Sequence, residues 1–258
     1  QGNPGVSGVL VVTLENACKV MPALQRLEKE YVGIMKLHKD AADNDVDQAL
    51  TTVRGRITQR PPVRSAVARR ERERTVSSFT LLERDGRDLL FSVICEAGTY
   101  VRVLCHDIGK HLGGAHMTEL RRVRSGRFTE QHAVTVQDLE KAYTAWKKTG
   151  DERIREYVLP VEEAIDHVPK IIVKDSAVYS LANGSPLYGN GIAKYEDTVR
   201  KNALVALLTL RGELIALGQA VVASSELLRT RKIVAKTDRV IIDRTAYPKM
   251  GNDTVPLP

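Results

Sequence analysis

The sequence predicts an α+β fold in two parts: a mixed or antiparallel sheet with helices, followed by a small β-barrel. Three observations support this. The 258 residues suffice for one large domain or two smaller ones. Strand-like and helix-like apolar spacing alternate through the first two thirds. The last third holds short apolar runs at regular intervals. We expect domains over residues 1–165 and 169–249, with a tail at 250–258.

In the first part, apolar periodicity predicts closely spaced strands and helices. Residues 59–62 contain two consecutive prolines and must form a loop. Asp43 or Asn44 is expected to cap the helix that follows. The predicted strands are 8–14, which we expect to be buried, 30–38, 75–83 and 88–95, and the predicted helices are 16–28, 40–55, 100–112, 135–148 and 151–158.

In the second part, short apolar runs separated by glycine-rich turns predict the strands of a barrel. One helix is expected at 175–183, and the turns fall at 184–191. The predicted strands are 170–174, 203–210, 214–222 and 232–242.

The positive charge is concentrated in two runs. The formal net charge is +7, of which residues 54–74 carry +6 and residues 100–128 carry +4. The clustered basic residues are arginines, whose planar guanidinium suits contact with phosphate. A solvated charged face is the alternative. We expect a nucleic-acid surface, although an aromatic content of 5% argues against a sheet lined with base-stacking rings.

Several classes of protein are excluded by what the sequence lacks. No apolar stretch approaches the roughly 20 residues of a membrane-spanning helix, and no signal segment opens the sequence. The three cysteines and six histidines show no metal-ligand spacing. No phosphate-binding glycine motif is present. We therefore expect a reduced, cytoplasmic protein with no metal, cofactor or membrane partner.

Five local strings occur in a characteristic order: NPGVSGVL at 3–10, KEY at 29–31, QRPPVRSAV at 59–67, EAGTYVR at 96–102 and GAHMTELRR at 114–122. Together they resemble the TruB family of RNA pseudouridine synthases, and most of all the archaeal dyskerin-type enzymes of H/ACA ribonucleoproteins. Residues 169–249 resemble the PUA domain of those proteins, an RNA-binding pseudobarrel.

The resemblance implies a uridine-isomerising site. Members of the family flip the target base, attack with an aspartate, pair that aspartate with an arginine and stack a tyrosine on the base. The matching positions are Asn3 for the aspartate, Arg102 for the arginine and Tyr31 for the tyrosine. Tyr100 lies two residues before Arg102, in a Gly-Thr-Tyr turn, where it either belongs to the site or packs in the core.

The resemblance and the charge pattern also imply residues that contact RNA. For each, the alternative is a structural ion pair or an ordinary surface charge, and His116 could equally be a structural histidine. The candidates in the first part are Arg60, Arg64, Arg69, Arg70, Arg72, Arg74, His116, Arg121, Arg122 and Arg124. Those in the PUA-like part are Lys170, Lys174, Arg229, Arg231 and Lys232.

Three departures from the family pattern shape the functional expectation. Asn3 offers a neutral amide instead of a nucleophilic carboxylate. Ala68 stands where the family usually has lysine, and the family's N-terminal portion is absent. We therefore expect a non-catalytic structural subunit of a large RNA assembly such as the ribosome. It would bind ribosomal or guide RNA, and protein partners would cover its N-terminal sheet edge.

Two alternatives remain open. The first is the catalytic subunit of an H/ACA-type synthase that isomerises uridine in ribosomal or transfer RNA. The second is a protein-interaction module unrelated to RNA. Detection of pseudouridine separates the first alternative from the main expectation. A steep decline of binding with salt separates the RNA-binding hypotheses from the second alternative.

Overall fold

The computed structural model describes residues 6–61 and 70–247. The chain divides into two compact units. The first comprises residues up to Val12 together with Gln25–Asp138, and the second comprises Thr13–Leu24 together with the residues from Leu139 onward. Asn3, Arg64, Ala68 and Arg69 lie outside the described residues.

The first unit is built on a seven-stranded sheet in the order β1-β6-β2-β5-β4-β3, with β7 beside β6. Neighbouring strands run antiparallel, except that β1 is parallel to β6. The strands are β1 (Val6–Gly8), β2 (Lys29–Leu37), β3 (Gly55–Gln59), β4 (Arg72–Asp85), β5 (Asp88–Cys95), β6 (Ala115–Ser125) and β7 (Phe128–Thr129).

Short helices accompany this sheet. They are α2 (Asp43–Thr51) and α3 (Val101–His111); before them in the chain, a 3-10 turn at Glu15–Val20 leads into α1 (Met21–Gln25), of which all but Gln25 belongs to the second unit. The apolar residues of α3 recur at helical spacing, so its buried face includes Val101, Leu104, Cys105 and Ile108. Burial of the Cys105 thiol raises its pKa to about 12.

The sheet, α2 and α3 share one hydrophobic core. Phe79 of β4 and Phe91 of β5 stack with ring centroids 4.8 Å apart, and both are fully buried. Met35 of β2 and Leu104 of α3 belong to the same cluster. Because α3 packs into this core, its first turn is held at a defined place beside the sheet.

The second unit contains a six-stranded sheet in the order β10-β8-β11-β12-β13-β9. Its strands are β8 (Lys170–Val173), β9 (Leu187–Tyr188), β10 (Ile192–Tyr195), β11 (Leu204–Leu208), β12 (Leu214–Ala220) and β13 (Ile233–Val240). The remaining helices are α4 (Val136–Thr149), α5 (Ile154–Tyr157) and α6 (Asp175–Ala182). The predicted α+β class with a small barrel at its end is confirmed.

Some sequence-based expectations are wrong in detail: β6 was not predicted, and the helix expected over 40–55 ends at Thr51. Residues 8–14 are not a buried strand: β1 ends at Gly8, and Leu10, Val12 and Leu14 are 74%, 69% and 57% exposed. A continuous apolar run cannot by itself distinguish a buried strand from other structures. The cap of α2 is also different, since the N-cap residue is Ala42, while the Asp43 carboxylate pairs with Arg84.

No helix in the described part of the chain is both long and apolar enough to cross a membrane.

Candidate functional site

Tyr31 is held in the middle of the first sheet. On β2 it lies opposite Val93 of β5 and Arg122 of β6. Its side chain is partly buried against the hydrophobic core. Burial raises the pKa of the Tyr31 hydroxyl, while the charge and hydrogen bonding of Arg122 act in the opposite direction. Tyr31 is therefore a neutral phenol that is oriented by its contact with Arg122.

Arg122 connects Tyr31 to the start of the described chain. Its Nε donates a hydrogen bond to the Val9 carbonyl oxygen over 2.6 Å. The Val9 amide in turn donates to the Arg122 carbonyl oxygen over 2.8 Å. Arg122 was expected to contact RNA, whereas the structure gives it a partly buried position that ties β1 to the strand beside Tyr31.

Gly8 is required for this arrangement. It has a φ of +102° and lies opposite Arg122 in the parallel pairing of β1 with β6. A Cβ on residue 8 would collide with the Arg122 carbonyl oxygen. Only glycine allows the two backbones to approach this closely. The contact fixes the chain five residues beyond Asn3.

Arg102 lies in the first turn of α3 and is exposed. Its guanidinium forms no hydrogen bond or ion pair with another described residue. The turn before it is ordered: Gly98 has a φ of +81°, and the Thr99 hydroxyl donates to the Glu96 carbonyl oxygen over 2.7 Å. Tyr100 is the N-cap residue of α3 and is half-buried.

Gln59, at the end of β3, contacts the same turn. Its side chain is 4% exposed and forms two hydrogen bonds to the backbone of Tyr100. The sequence string QRPP identified this position only as the start of a loop. Gln59 could have been identified as a polar residue at the buried end of a strand, because a buried polar side chain requires a hydrogen-bond partner.

Several predicted RNA-contacting residues are instead engaged within the protein. Arg121 pairs with Glu130 at 2.6 Å and Arg124 with Glu30 at 2.9 Å. His116 is hydrogen-bonded to His38 at 2.9 Å. Because β6 is a strand, its arginines alternate between faces and meet different partners. The others that are engaged in this way are Arg74, Lys170 and Lys174.

A second group of predicted RNA-contacting residues is exposed and forms no side-chain hydrogen bond or ion pair within residues 6–61 and 70–247. These side chains have positive charge to offer a phosphate backbone. They are Arg60, Arg70, Arg72, Arg229, Arg231 and Lys232.

Within the described residues there is no group of three or more histidine, cysteine, aspartate or glutamate side chains arranged to hold a metal ion.

Replacing Arg122 with methionine is expected to raise the pKa of Tyr31. The guanidinium favours the phenolate, so removing it leaves desolvation unopposed. Loss of the bond to Val9 is expected to lower the free energy of unfolding by about 1–3 kcal/mol. NMR titration of protein labelled at the tyrosine Cζ measures the pKa. Arg121→Met is the matched control, since Arg121 pairs with Glu130. An unchanged or lowered Tyr31 pKa would contradict the contact assigned between Arg122 and the Tyr31 hydroxyl.

Family models match both units and define the class of protein. The family models that match are the N-terminal domain of TruB family pseudouridylate synthases over residues 3–101, the C-terminal domain of tRNA pseudouridylate synthase B over 102–166, and the PUA domain over 169–241.

Individual relatives agree. The chain is 46% identical to a probable tRNA pseudouridine synthase B of Archaeoglobus fulgidus, over 96% of this chain and 77% of that protein. It is 48% identical to the corresponding protein of Pyrobaculum calidifontis, over 96% of this chain and 75% of that protein. The chain belongs to the TruB family of pseudouridine synthases.

Solved structures show the same architecture. A Cbf5-Nop10-Gar1 complex contains a chain 46% identical to this one, with a TM-score of 0.88 over 96% of this chain and 77% of that one. An H/ACA ribonucleoprotein bound to a substrate RNA containing 2′-deoxyuridine gives 43% identity and a TM-score of 0.87, over 96% and 77% of the two chains.

These findings correct the functional expectation. A non-catalytic structural subunit was inferred from Asn3, Ala68 and the start of the sequence, and it is contradicted, because the similar proteins are pseudouridine synthases and Cbf5 chains. The ribosome and a catalytically silent role have no support. The similarity to a pseudouridine synthase along 96% of the chain is stronger evidence than the identity of two side chains or the point where the sequence begins.

Proposed function

We propose that this chain is the catalytic subunit of an H/ACA-type ribonucleoprotein that isomerises uridine to pseudouridine in RNA. One observation carries the proposal: the similarity, along 96% of the chain, to a structure of an H/ACA ribonucleoprotein bound to a substrate RNA containing 2′-deoxyuridine. The positions of Tyr31 and Arg102 in the first unit are compatible with it.

Each named residue has a defined part in this proposal. The target uridine leaves its stack, and the ring of Tyr31 receives the flipped base. Arg102, exposed at the start of α3, is positioned to pair with an acidic group or a phosphate. Residue 3 is the family's position for the attacking carboxylate, and in this chain it is asparagine. The rest of the chain recognises RNA and partners independently of whether residue 3 is asparagine or aspartate.

The partners follow from the complexes in which similar chains occur. One of those complexes contains Nop10 and Gar1, another contains Nop10, and a third is an H/ACA ribonucleoprotein bound to a substrate RNA. We infer that this chain likewise assembles with small proteins and with a guide RNA. Leu10, Val12 and Leu14 are exposed apolar side chains near the start of the chain, and a protein partner that covers them would remove apolar surface from water.

The test is reconstitution. The chain is assembled with Nop10 and Gar1 proteins and an H/ACA guide RNA, and a target RNA labelled with tritium at uridine C5 is added. Isomerisation releases the tritium to water, and sequencing locates the pseudouridine. The Asn3→Asp variant is assayed in parallel. Absence of pseudouridine with both proteins, despite a complete assembly, would contradict the proposal.

Guide-RNA affinity is expected to depend on the exposed arginines of the second unit. The double variant Arg229→Gln, Arg231→Gln should weaken binding and reduce the slope of log affinity against log salt by about 1–2. Both side chains are exposed. The control is Arg153→Gln, because Arg153 pairs with Asp151 at 2.6 Å. Filter binding over a range of salt concentrations measures the slope, and equal slopes for variant and parent would exclude these contacts.

A further inference from the structure

Gln59 is an unusual residue for its position. It and Thr209 are the buried polar side chains of the described part of the chain. Burying an amide without hydrogen-bond partners costs free energy. An apolar side chain of similar size would avoid that cost, so the presence of an amide at the end of β3 indicates a specific requirement for its hydrogen bonds.

Both functional groups of the amide are used on one neighbouring residue. The Gln59 Nε2 donates to the Tyr100 carbonyl oxygen over 3.2 Å. The Tyr100 backbone N–H donates to the Gln59 Oε1 over 2.9 Å. The side chain thus contacts both backbone groups of Tyr100, much as a paired strand residue would. The two bonds together fix the position and the orientation of that backbone.

Tyr100 is where α3 begins. As the N-cap residue of α3, it accepts hydrogen bonds at its carbonyl oxygen from the amides of Val103 and Leu104, over 2.9 and 3.2 Å. Arg102 lies two residues beyond Tyr100, in the first turn. Any shift of the Tyr100 backbone therefore moves the base from which the Arg102 side chain extends.

The other end of the same turn is held by β4. The Glu96 amide donates to the Thr75 carbonyl oxygen over 2.8 Å, and the Thr75 amide donates to the Glu96 carboxylate over 3.1 Å. The guanidinium of Arg74 packs against Gly98, 3.2 Å from where a Cβ would lie. Gln59 therefore completes the support of a turn whose first half is already fixed.

We propose that Gln59 is a positioning residue for Arg102: its two hydrogen bonds to Tyr100 set the start of α3 and so aim the guanidinium at the reacting group. The inference rests on the proposed function. We call these two hydrogen bonds the Gln59 clamp. Weakening the clamp should slow isomerisation without weakening the binding of RNA, because Gln59 is buried and contacts the turn instead of the ligand.

Two substitutions test it, both made in protein that also carries Asn3→Asp. Gln59→Leu removes both hydrogen bonds. Gln59→Glu keeps an acceptor for the Tyr100 amide but, when ionised, has no donor for the Tyr100 carbonyl oxygen. We expect single-turnover rates of pseudouridine formation to fall about 10- to 100-fold with unchanged RNA affinity. Gln48→Glu, at an exposed position of α2, introduces the same charge elsewhere and should leave the rate unchanged.

The pH profile separates positioning from general damage to the fold. A protonated carboxyl has the same donor and acceptor as the amide, so Gln59→Glu should recover activity, relative to the parent, as the pH is lowered. Burial favours the protonated carboxyl and brings this recovery towards neutral pH. The Gln59→Leu variant should show no such recovery.

A second measurement does not depend on activity. Hydrogen exchange at the Tyr100 amide should accelerate in Gln59→Leu, since its acceptor is lost, while amides of the β4–β5 pair keep their protection. If Gln59→Leu does not fold, the rate and the pH profile of Gln59→Glu test the proposal by themselves.

The outcomes are distinguishable. No pseudouridine from the Asn3→Asp parent would reject the proposed function, and the exchange data would still test the clamp. If the Asn3→Asp parent is active and the Gln59→Glu variant isomerises uridine at the parent's rate at every pH, the inference is overturned. A fall in rate matched by an equal fall in RNA affinity would also overturn it.

Discussion

An Asn3→Asp variant, assembled with guide RNA and partner proteins, should form pseudouridine about 10³-fold faster than the chain with Asn3, or more. The amide of asparagine has no ionisable oxygen and is a very weak nucleophile, whereas an aspartate carboxylate is charged at neutral pH. The substitution changes one atom of the side chain, so it should leave RNA affinity unaltered. Single-turnover assays of tritium release measure the rate.

The control for this result is Asn3→Ser, which is polar but supplies no carboxylate and should remain as slow as the parent. Adding Arg102→Met to Asn3→Asp should remove most of the gain, because the introduced carboxylate loses its cationic partner. Equal rates for Asn3, Asn3→Asp and Asn3→Ser would show that residue 3 is not the position of the nucleophile.

Gly8→Ala is expected to reduce the rate of the Asn3→Asp protein about 100-fold. A Cβ at residue 8 collides with the Arg122 backbone, and the φ of +102° disfavours any residue other than glycine. The three-residue strand β1 must then move away from β6, and the chain leading to residue 3 moves with it. Since β1 is short and lies at the sheet edge, the free energy of unfolding should fall by only about 1–3 kcal/mol.

Gly86→Ala is the matched control. Gly86 also has a positive φ, +55°, but an added Cβ meets nothing within 4 Å. It should cost about 1 kcal/mol of stability and leave the rate unchanged. Thermal unfolding and the isomerisation assay are run on both variants. A Gly8→Ala protein as active as the Gly86→Ala protein would mean that β1 can shift without consequence for the site.

The parts of the fold that were predicted correctly are those with a strong local pattern. The apolar residues of α3 recur at helical spacing, and β4 and β5 alternate on either side of a Gly86 turn. Strand β6 was missed because its arginines mask the alternation. Some of their charges are balanced by acidic partners, and one of these, Glu30, lies 94 positions from Arg124 and outside any local window.

Local sequence patterns likewise indicate some residues of the candidate site and not others. Tyr31 and Arg102 were selected because short strings around them resemble a known family, and their roles stay predictions. The contact of Gln59 with Tyr100 could not be predicted, since it spans 41 positions of sequence. Arg122 illustrates a further limit: an arginine run predicts positive charge, but only the strand register shows that one of its members faces Tyr31 and β1.

The path of the chain through the second unit has a consequence for how the protein folds during synthesis. Residues Thr13–Leu24 are made early but belong to the unit formed by the last part of the chain. Lys19 donates to the Val240 carbonyl oxygen, 221 positions away, and Val20 is fully buried. This early segment cannot complete its packing until β13 has left the ribosome. Such long-range closure slows folding and leaves apolar side chains exposed in the meantime, so β13 completes a unit to which the much earlier segment Thr13–Leu24 already belongs.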